Sequence, residues 1–209
     1  MWSVDLGDLD AAAQVAHDAW DAFGHLDAVV HNAGIPARVP VPELEPETVM
    51  HVMDVDFHSP VRMTLELLPD MLARGSGQFV FVSSMGGRTA IAHEAAYNAA
   101  KFAMCGFAEA MYIDLFGTGV ETKLVLPGPI DTEIWDQPGN EDPIFQIDKV
   151  PARACATDIA AAMEDDGFEY YAPAIFPGGI DAKAMVVGKT QDCTGYMKGM
   201  GQFAASLRR

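Results

Sequence analysis

Short β-rich apolar runs alternate along the chain with longer segments whose apolar positions recur every three or four residues. That alternation predicts a layered α/β sheet. Trp2 to Leu6 reads as the end of a strand. Asp8 stands where a helix N-cap is wanted, Leu9, Ala13, Ala16, Trp20 and Phe23 follow at helical steps, and Gly24 closes the helix. Leu26 to His31 is a second strand, ending on Asn32-Ala33-Gly34. Pro42 to Asp56 reads as a short helix running into a longer one, whose stripe is Val61, Leu65, Leu68 and Leu72. Gly75-Ser76-Gly77 breaks that helix before a strand from Gln78 to Ser83. A helix from about Ala95 to Phe116 leads to a strand from Val120 to Leu126, which Pro127-Gly128-Pro129 ends. Glu133 to Pro151 reads as a long loop, of the kind that is functional or disordered in compact domains. A last helix near Thr157 to Asp165 precedes a strand at Phe168 to Pro173, and the Gly- and Met-rich tail beyond Gly178 has no assignable pattern.

Length and composition narrow the class. At 209 residues the chain is long enough for one domain with a sizeable core. Half its residues are hydrophobic and 21% are charged, the balance of an ordinary soluble globular protein. The apolar runs are interrupted by Asp, Glu or Pro, so none is expected to span a bilayer. Met1 is followed by no basic region and no apolar signal core, so secretion is not indicated. Cys105, Cys155 and Cys193 are odd in number and widely spaced, which suggests neither a disulfide framework nor a zinc knuckle. A cytoplasmic setting follows as the expectation. The net charge of −17 repels polyanions and argues against nucleic acid or an anionic membrane as partner.

The strongest chemical signal is Tyr97-Asn98-Ala99-Ala100-Lys101. Tyr and Lys four apart on a helix share a face. An ammonium beside a phenol favours the phenolate and pulls its pKa down from about 10 toward the working range. By itself the pair is more often an aromatic–cation contact than a catalytic one. Its context changes that reading. Ser84 lies at the carboxyl end of a strand, where open α/β sheets place ligands, and its hydroxyl could donate to an oxygen gaining negative charge. Ser83, one residue nearer the strand, is the competitor. Asn32-Ala33-Gly34 and Pro127-Gly128-Pro129-Ile130-Asp131-Thr132 end the neighbouring strands on the same sheet edge, and their small residues admit close approach of a flat cofactor.

In order and spacing these motifs resemble the short-chain dehydrogenase/reductase family, with its Asn-Ala-Gly turn, Ser, Tyr-x-x-x-Lys and Pro-Gly turn, over Asp5 to about Pro173. The resemblance implies a doubly wound, mostly parallel Rossmann-like sheet flanked by helices. It makes Tyr97 the acid/base, Lys101 the group that lowers its pKa and holds the nicotinamide ribose, and Ser84 the polariser of the carbonyl. Asp5 and Leu6 would contact adenine; Asn32, Ala33 and Gly34 would line the adenosine and pyrophosphate region. Pro127 belongs to the cofactor-binding set, and Ile130 and Thr132 would touch the nicotinamide amide. The implied cofactor is NAD or NADP, the substrate a small-molecule alcohol or ketone, the reaction hydride transfer, and the complete protein a homo-oligomer.

Two features depart from the family pattern. Its helical Asn is replaced by Asp56, and no Gly-rich phosphate turn opens the sequence. In the strand order 3-2-1-4-5-6, Trp2 to Leu6 matches the third strand and Leu26 to His31 the fourth, leaving the first two without counterpart. Residues 1–177 therefore read as an N-terminally incomplete, truncated dinucleotide-binding domain with a substrate loop at 133–151, and 178–209 as its tail. A truncated or degenerate non-catalytic member acting through protein contacts is the alternative.

Other candidates read as ordinary structure. Asp5, Asp8 and Asp10 lack the Gly and Glu spacing of a calcium loop, and no His pair has metal-ligand spacing. His31 is expected to be neutral, and Asp165-Asp166 to be a solvated helix end. Met185, Met197 and Met200 fill gaps by default. Trp135, Ile144 and Phe145 either cover an apolar substrate or anchor their loop.

Overall fold

The computed structural model describes residues 1–144 and 148–206. Asp8 caps the first helix, its carboxylate accepting from the Asp10 and Ala11 amides at 3.1 and 3.0 Å, and Gly24 ends it in the left-handed region at φ 76°. The chain then runs α1 (Leu9–Phe23), β1 (Ala28–His31), α2 (Pro46–Met53), a π turn over Asp54–His58, and α3 (Ser59–Arg74). It continues through β2 (Gly77–Val82), α4 (Ala95–Asp114), β3 (Val120–Pro127), β4 (Ile130–Asp131) and β5 (Val150–Pro151). Last come α5 (Ala152–Glu164), β6 (Glu169–Ala172), β7 (Ile175–Phe176), β8 (Ile180–Asp181), α6 (Ala182–Gln191) and α7 (Cys193–Ser206).

The central sheet has the order β1-β2-β3-β6, every pair parallel, with Val30 opposite Val80 and Leu124 opposite Phe81. Strand residues alternate between two faces. Phe79, Phe81, Leu124 and Leu126 pack against α3 and α4 through Leu67, Met71, Met104 and Ala108. Val80, Val82 and Val125 on the other face meet Cys155, Ile159 and Ala162 of α5. Helices on both faces of a parallel sheet are the doubly wound arrangement the sequence predicts. His31 is neutral by burial, as expected: its pKa falls to about 4, its ring lies 5.1 Å from that of Phe81, and Nε2 meets Thr64 Oγ1 at 2.9 Å.

Several expectations are corrected. Trp2 to Leu6 is not a strand. A strand needs a ladder partner; here Trp2 instead packs edge-on against Phe23 of α1, and the Asp5 carboxylate accepts from the Gly7 amide at 2.9 Å. Residues 133–151 are not structureless, because a 3₁₀ turn spans Glu133–Asp136 and β5 pairs with β4. Phe145 falls outside the described residues. Helix α5 begins at Ala152, five residues before the expected start, since Ala-Arg-Ala-Cys-Ala after Pro151 is good helix sequence. The tail is ordered into α6 and α7; Ala182, Met185 and Val186 join the core, and Lys189 Nζ donates to the Arg88 carbonyl at 2.6 Å. Among the described residues no helix is long and apolar enough to cross a membrane.

Candidate active site

The carboxyl ends of β2 and β3 open onto a cavity of about 700 Å³. Its wall includes Ser84, Tyr97 and Lys101, together with Asn32, Ala33, Gly34, Pro127, Ile130 and Thr132. Asp5 and Leu6 are not brought there: both lie on the N-terminal segment, where the Asp5 carboxylate is engaged by Gly7.

Ser84, two residues beyond β2 and in extended conformation, caps the short 3₁₀ turn Met85–Gly87, its Oγ accepting from the Gly86 amide at 3.0 Å. With that lone pair engaged, the hydroxyl still has its proton to donate, and it meets the Tyr97 phenol, whose pKa it pulls down. Ser83 has another task. Its Oγ donates to the Lys101 carbonyl at 3.0 Å and meets Cys105 Sγ at 3.3 Å, clamping the end of β2 to α4. Gly86 sits so close that a Cβ there would lie 3.3 Å from the Tyr97 ring and 3.4 Å from Ser84 Oγ.

Tyr97 and Lys101 share one face of α4, and Lys101 Nζ lies 5.4 Å from the Tyr97 ring centroid. The Lys101 side chain is fully enclosed, and Asp56 Oδ2 lies 3.3 Å from its Nζ. Asp56 is itself 0% exposed, and its Oδ1 accepts from the Ile35 amide at 2.7 Å. One carboxylate thus ties the Asn-Ala-Gly turn to the lysine. Gly34 is required between them, because a Cβ would meet both Asp56 Oδ2 and Lys101 Nζ at 3.1 Å.

The electrostatics follow from this enclosure. Burial pushes the Tyr97 phenol up; Lys101 and the Ser84 hydroxyl work against it, while Asp56 and Glu94 add to it. The lysine therefore limits a rise and does not produce the net fall expected from the helical pair alone. Burial opposes the Lys101 charge, but Asp56 and Tyr97 outweigh it and hold the ammonium on. Burial likewise pushes Asp56 up, with Lys101 and the Ile35 amide pulling it back.

Two residues of the site carry no motif. Arg38, 3% exposed, donates to the carbonyls of Glu141, Ile134 and Trp135 at 2.8, 3.3 and 2.6 Å, fastening the segment after β4 to the body. Glu94, buried one turn before Tyr97, lines the same cavity. Met185, Tyr196 and Met200 of the two tail helices also reach its wall, so the tail forms part of the site. Trp135 anchors its segment, its Nε1 donating to the Ile130 carbonyl at 2.5 Å, and its side chain also lines the cavity.

A parallel sheet with its cavity at the strands' carboxyl ends defines the doubly wound, Rossmann-like class. A family model described as short chain dehydrogenase matches residues 1–142, and the chain belongs to that family. It is 32% identical over 130 residues to dehydrogenase/reductase SDR family member 7B of Bos taurus, the match covering 62% of this chain and 40% of that protein. It is also 32% identical over 131 residues to the SDR family protein 7-like of Drosophila melanogaster, covering 63% and 40%. The match thus spans about two-fifths of these relatives' length. Among solved structures, a Burkholderia cenocepacia short chain dehydrogenase in complex with NADP shares the fold, with TM-score 0.76, 24% identity, and coverage of 95% of this chain and 76% of that one. A metagenomic short-chain oxidoreductase in complex with NADP has TM-score 0.57 and 27% identity, covering 63% and 59%.

Proposed function

We propose that the chain is the catalytic part of a nicotinamide-dependent oxidoreductase that interconverts an alcohol and a carbonyl compound. The observation that carries this reading is the convergence of Ser84, Tyr97 and the Asp56-paired Lys101 on one wall of the cavity. The NADP bound by two structural neighbours supports NAD or NADP as the cofactor. The residues present suit its nicotinamide end. Gly34 leaves room at the lysine, and Pro127, Ile130 and Thr132 line the cavity from the end of β3 onward. Lys101 would hold the ribose, and Ile130 and Thr132 the amide. When bound, the cofactor supplies or accepts the hydride.

The chain's own residues handle the proton. Ser84, oriented by the Gly86 amide, donates a hydrogen bond to the substrate oxygen. Tyr97 gives its proton to that oxygen in reduction and takes it back in oxidation. The phenolate formed in reduction faces the Lys101 ammonium, which Asp56 holds in place. Nothing in the geometry favours a non-catalytic role, since each of the three groups faces the cavity.

Tyr97→Phe removes the proton and leaves the cavity shape unchanged. It is expected to lower turnover of NADPH with a ketone by about 10²- to 10⁴-fold. Cofactor affinity, read by quenching of Trp fluorescence, should stay within about twofold. Near-normal turnover in the Phe variant overturns the reading.

A further inference from the structure

One carboxyl group in the cavity has no task in that scheme. Glu94 stands at the N-terminus of α4, 8% exposed, on the cavity wall. Its backbone is fully used. The amide donates to the Ile91 carbonyl at 3.3 Å, the carbonyl accepts from the Asn98 amide at 2.7 Å, and the residue bridges to Val39. Its neighbour His93 takes φ 64°, where few non-glycine residues are found, and bonds Glu141 at 2.8 Å. The position is thus held from several sides, and the side chain is left over. It makes no cap bond, and among the described residues no hydrogen bond or ion pair engages its carboxyl.

A carboxyl that burial deprives of much of its water and that no protein group meets calls for an explanation. Arg38 acts on it only through space: three of its five N–H donors serve loop carbonyls, and among the described residues no hydrogen bond or ion pair joins it to Glu94. Arg38 pulls the Glu94 carboxyl down from a distance, but burial prevails and pushes it up to about 7. Much of the cavity wall is apolar, Met85, Ile91, Ile134, Trp135 and Met185 among it, with Arg38, Lys101, Glu133 and Lys149 as its other charged residues. In such a setting one acid supplies direction and selectivity more than bulk affinity. Glu94 is the N-cap residue of the helix that carries Tyr97, lies on the same cavity wall and is near enough for its charge to raise the Tyr97 phenol, so the two can address two groups of one small molecule.

We propose that Glu94 is a specificity-determining residue: its carboxyl receives a hydrogen-bond donor, a second hydroxyl or an ammonium, carried close to the reacting carbonyl on an otherwise apolar substrate. This rests on the reading of the cavity as a substrate site. A site built for a donor rejects the analogue that lacks it, because the acid is then left unpaired.

The test compares acetophenone, 2-hydroxyacetophenone and 2-aminoacetophenone on the full chain with NADPH. Turnover and binding, by quenching of Trp fluorescence, are read in parallel. The wild-type protein is expected to favour the hydroxy or the amino probe over acetophenone by about 10- to 100-fold. Glu94→Leu should bring the ratio to within about twofold, with Glu94→Met, an unbranched apolar replacement, as the second variant. Ratios between probes in one protein are insensitive to the fraction folded. Glu94→Gln keeps an acceptor and loses the charge. A preference that survives in Gln assigns the hydroxyl; one lost in Gln and Leu alike assigns the ammonium. Equal handling of the three probes by the wild-type protein, or a preference unchanged in the Leu and Met variants, overturns the proposal. Preference in binding that follows Glu94 without any turnover leaves this inference standing and removes the oxidoreductase reading. Turnover that is blind to Glu94 does the reverse.

Discussion

Asp56 changes the character of the site by a single residue. A buried lysine loses its charge unless something pairs it. Here the partner is a carboxylate in direct contact, which also holds the Ile35 amide. Its cost falls on the tyrosine, since the Asp56 charge raises the Tyr97 phenol. Asp56→Asn keeps the side chain's shape and the acceptor for Ile35 while removing that charge. The Lys101 ammonium then takes the phenolate as its partner, without a competing carboxylate, and the apparent pKa governing alcohol oxidation is expected to fall by about one unit. A pH–rate profile that stays in place or moves upward contradicts this account. The sequence made the substitution visible but not its geometry, because contact between residue 56 and residue 101 arises from the packing of two separate elements.

At the scale of elements, the site depends on how the chain leaves its helices and strands. The π turn at Asp54–His58 lies between α2 and α3 and carries Asp56 on its buried side. Such turns recur at functional positions in helices. Arg38 does the equivalent work for the segment after β4, tying Ile134, Trp135 and Glu141 to the segment after β1. Arg38→Gln cannot satisfy three carbonyls at once. It is expected to raise KM about tenfold with a smaller change in kcat, since hydrogen bonds to a charged donor are each worth about 1.5–3 kcal/mol. Limited proteolysis should show faster cleavage within residues 133–141. Equal protease resistance in both proteins removes the clamp from the argument. Neither Arg38 nor Glu94 stood out in the sequence, because a lone charge in a loop has no periodic pattern around it.

For the molecule as a whole, two buried groups give folding stability opposite responses to pH. His31 has its pKa lowered from 6.5 to about 4, so the unfolded chain takes up its proton first and stability falls as pH drops through that window. Glu94 is raised from 4.5 to about 7, so the unfolded chain gives up its proton first and stability falls as pH rises through that range. Each unit of difference corresponds to about 1.4 kcal/mol. His31→Gln, which keeps a partner for Thr64, should flatten the acid side of the stability profile. Glu94→Gln should flatten the neutral side. Urea unfolding between pH 4 and 8 separates them, and parallel profiles for wild type and both variants would contradict the assignments. The sheet itself is asymmetric. Strand β1 pairs only with β2 among the described residues, and Val30 on its outer face is 43% exposed. Amide exchange is therefore expected to be faster in β1 than in β2 or β3, and equal protection would show that the edge is covered in solution.

Ser84 joined the site through its place after a strand and the family resemblance. The main alternation of helices and parallel strands up to β6, the Asp8 and Gly24 caps, and the shared helix face of Tyr97 and Lys101 were legible in the chain itself. Each rests on interactions within a few residues or on a repeat period that local geometry imposes. The run from Trp2 to Leu6 has the apolar content of a strand, yet Trp2 packs on Phe23 instead, because pairing is a property of neighbours and not of composition. The tail offered no period, and its helices are placed by core contacts of Ala182, Met185 and Val186. Burial decided the rest. Whether Lys101 lowers the tyrosine, whether Asp56 reaches the lysine through space, and whether Glu94 is left without a partner depend on side chains brought together from distant parts of the chain. Desolvation and charge pairing act over those tertiary distances, and the linear sequence does not contain them.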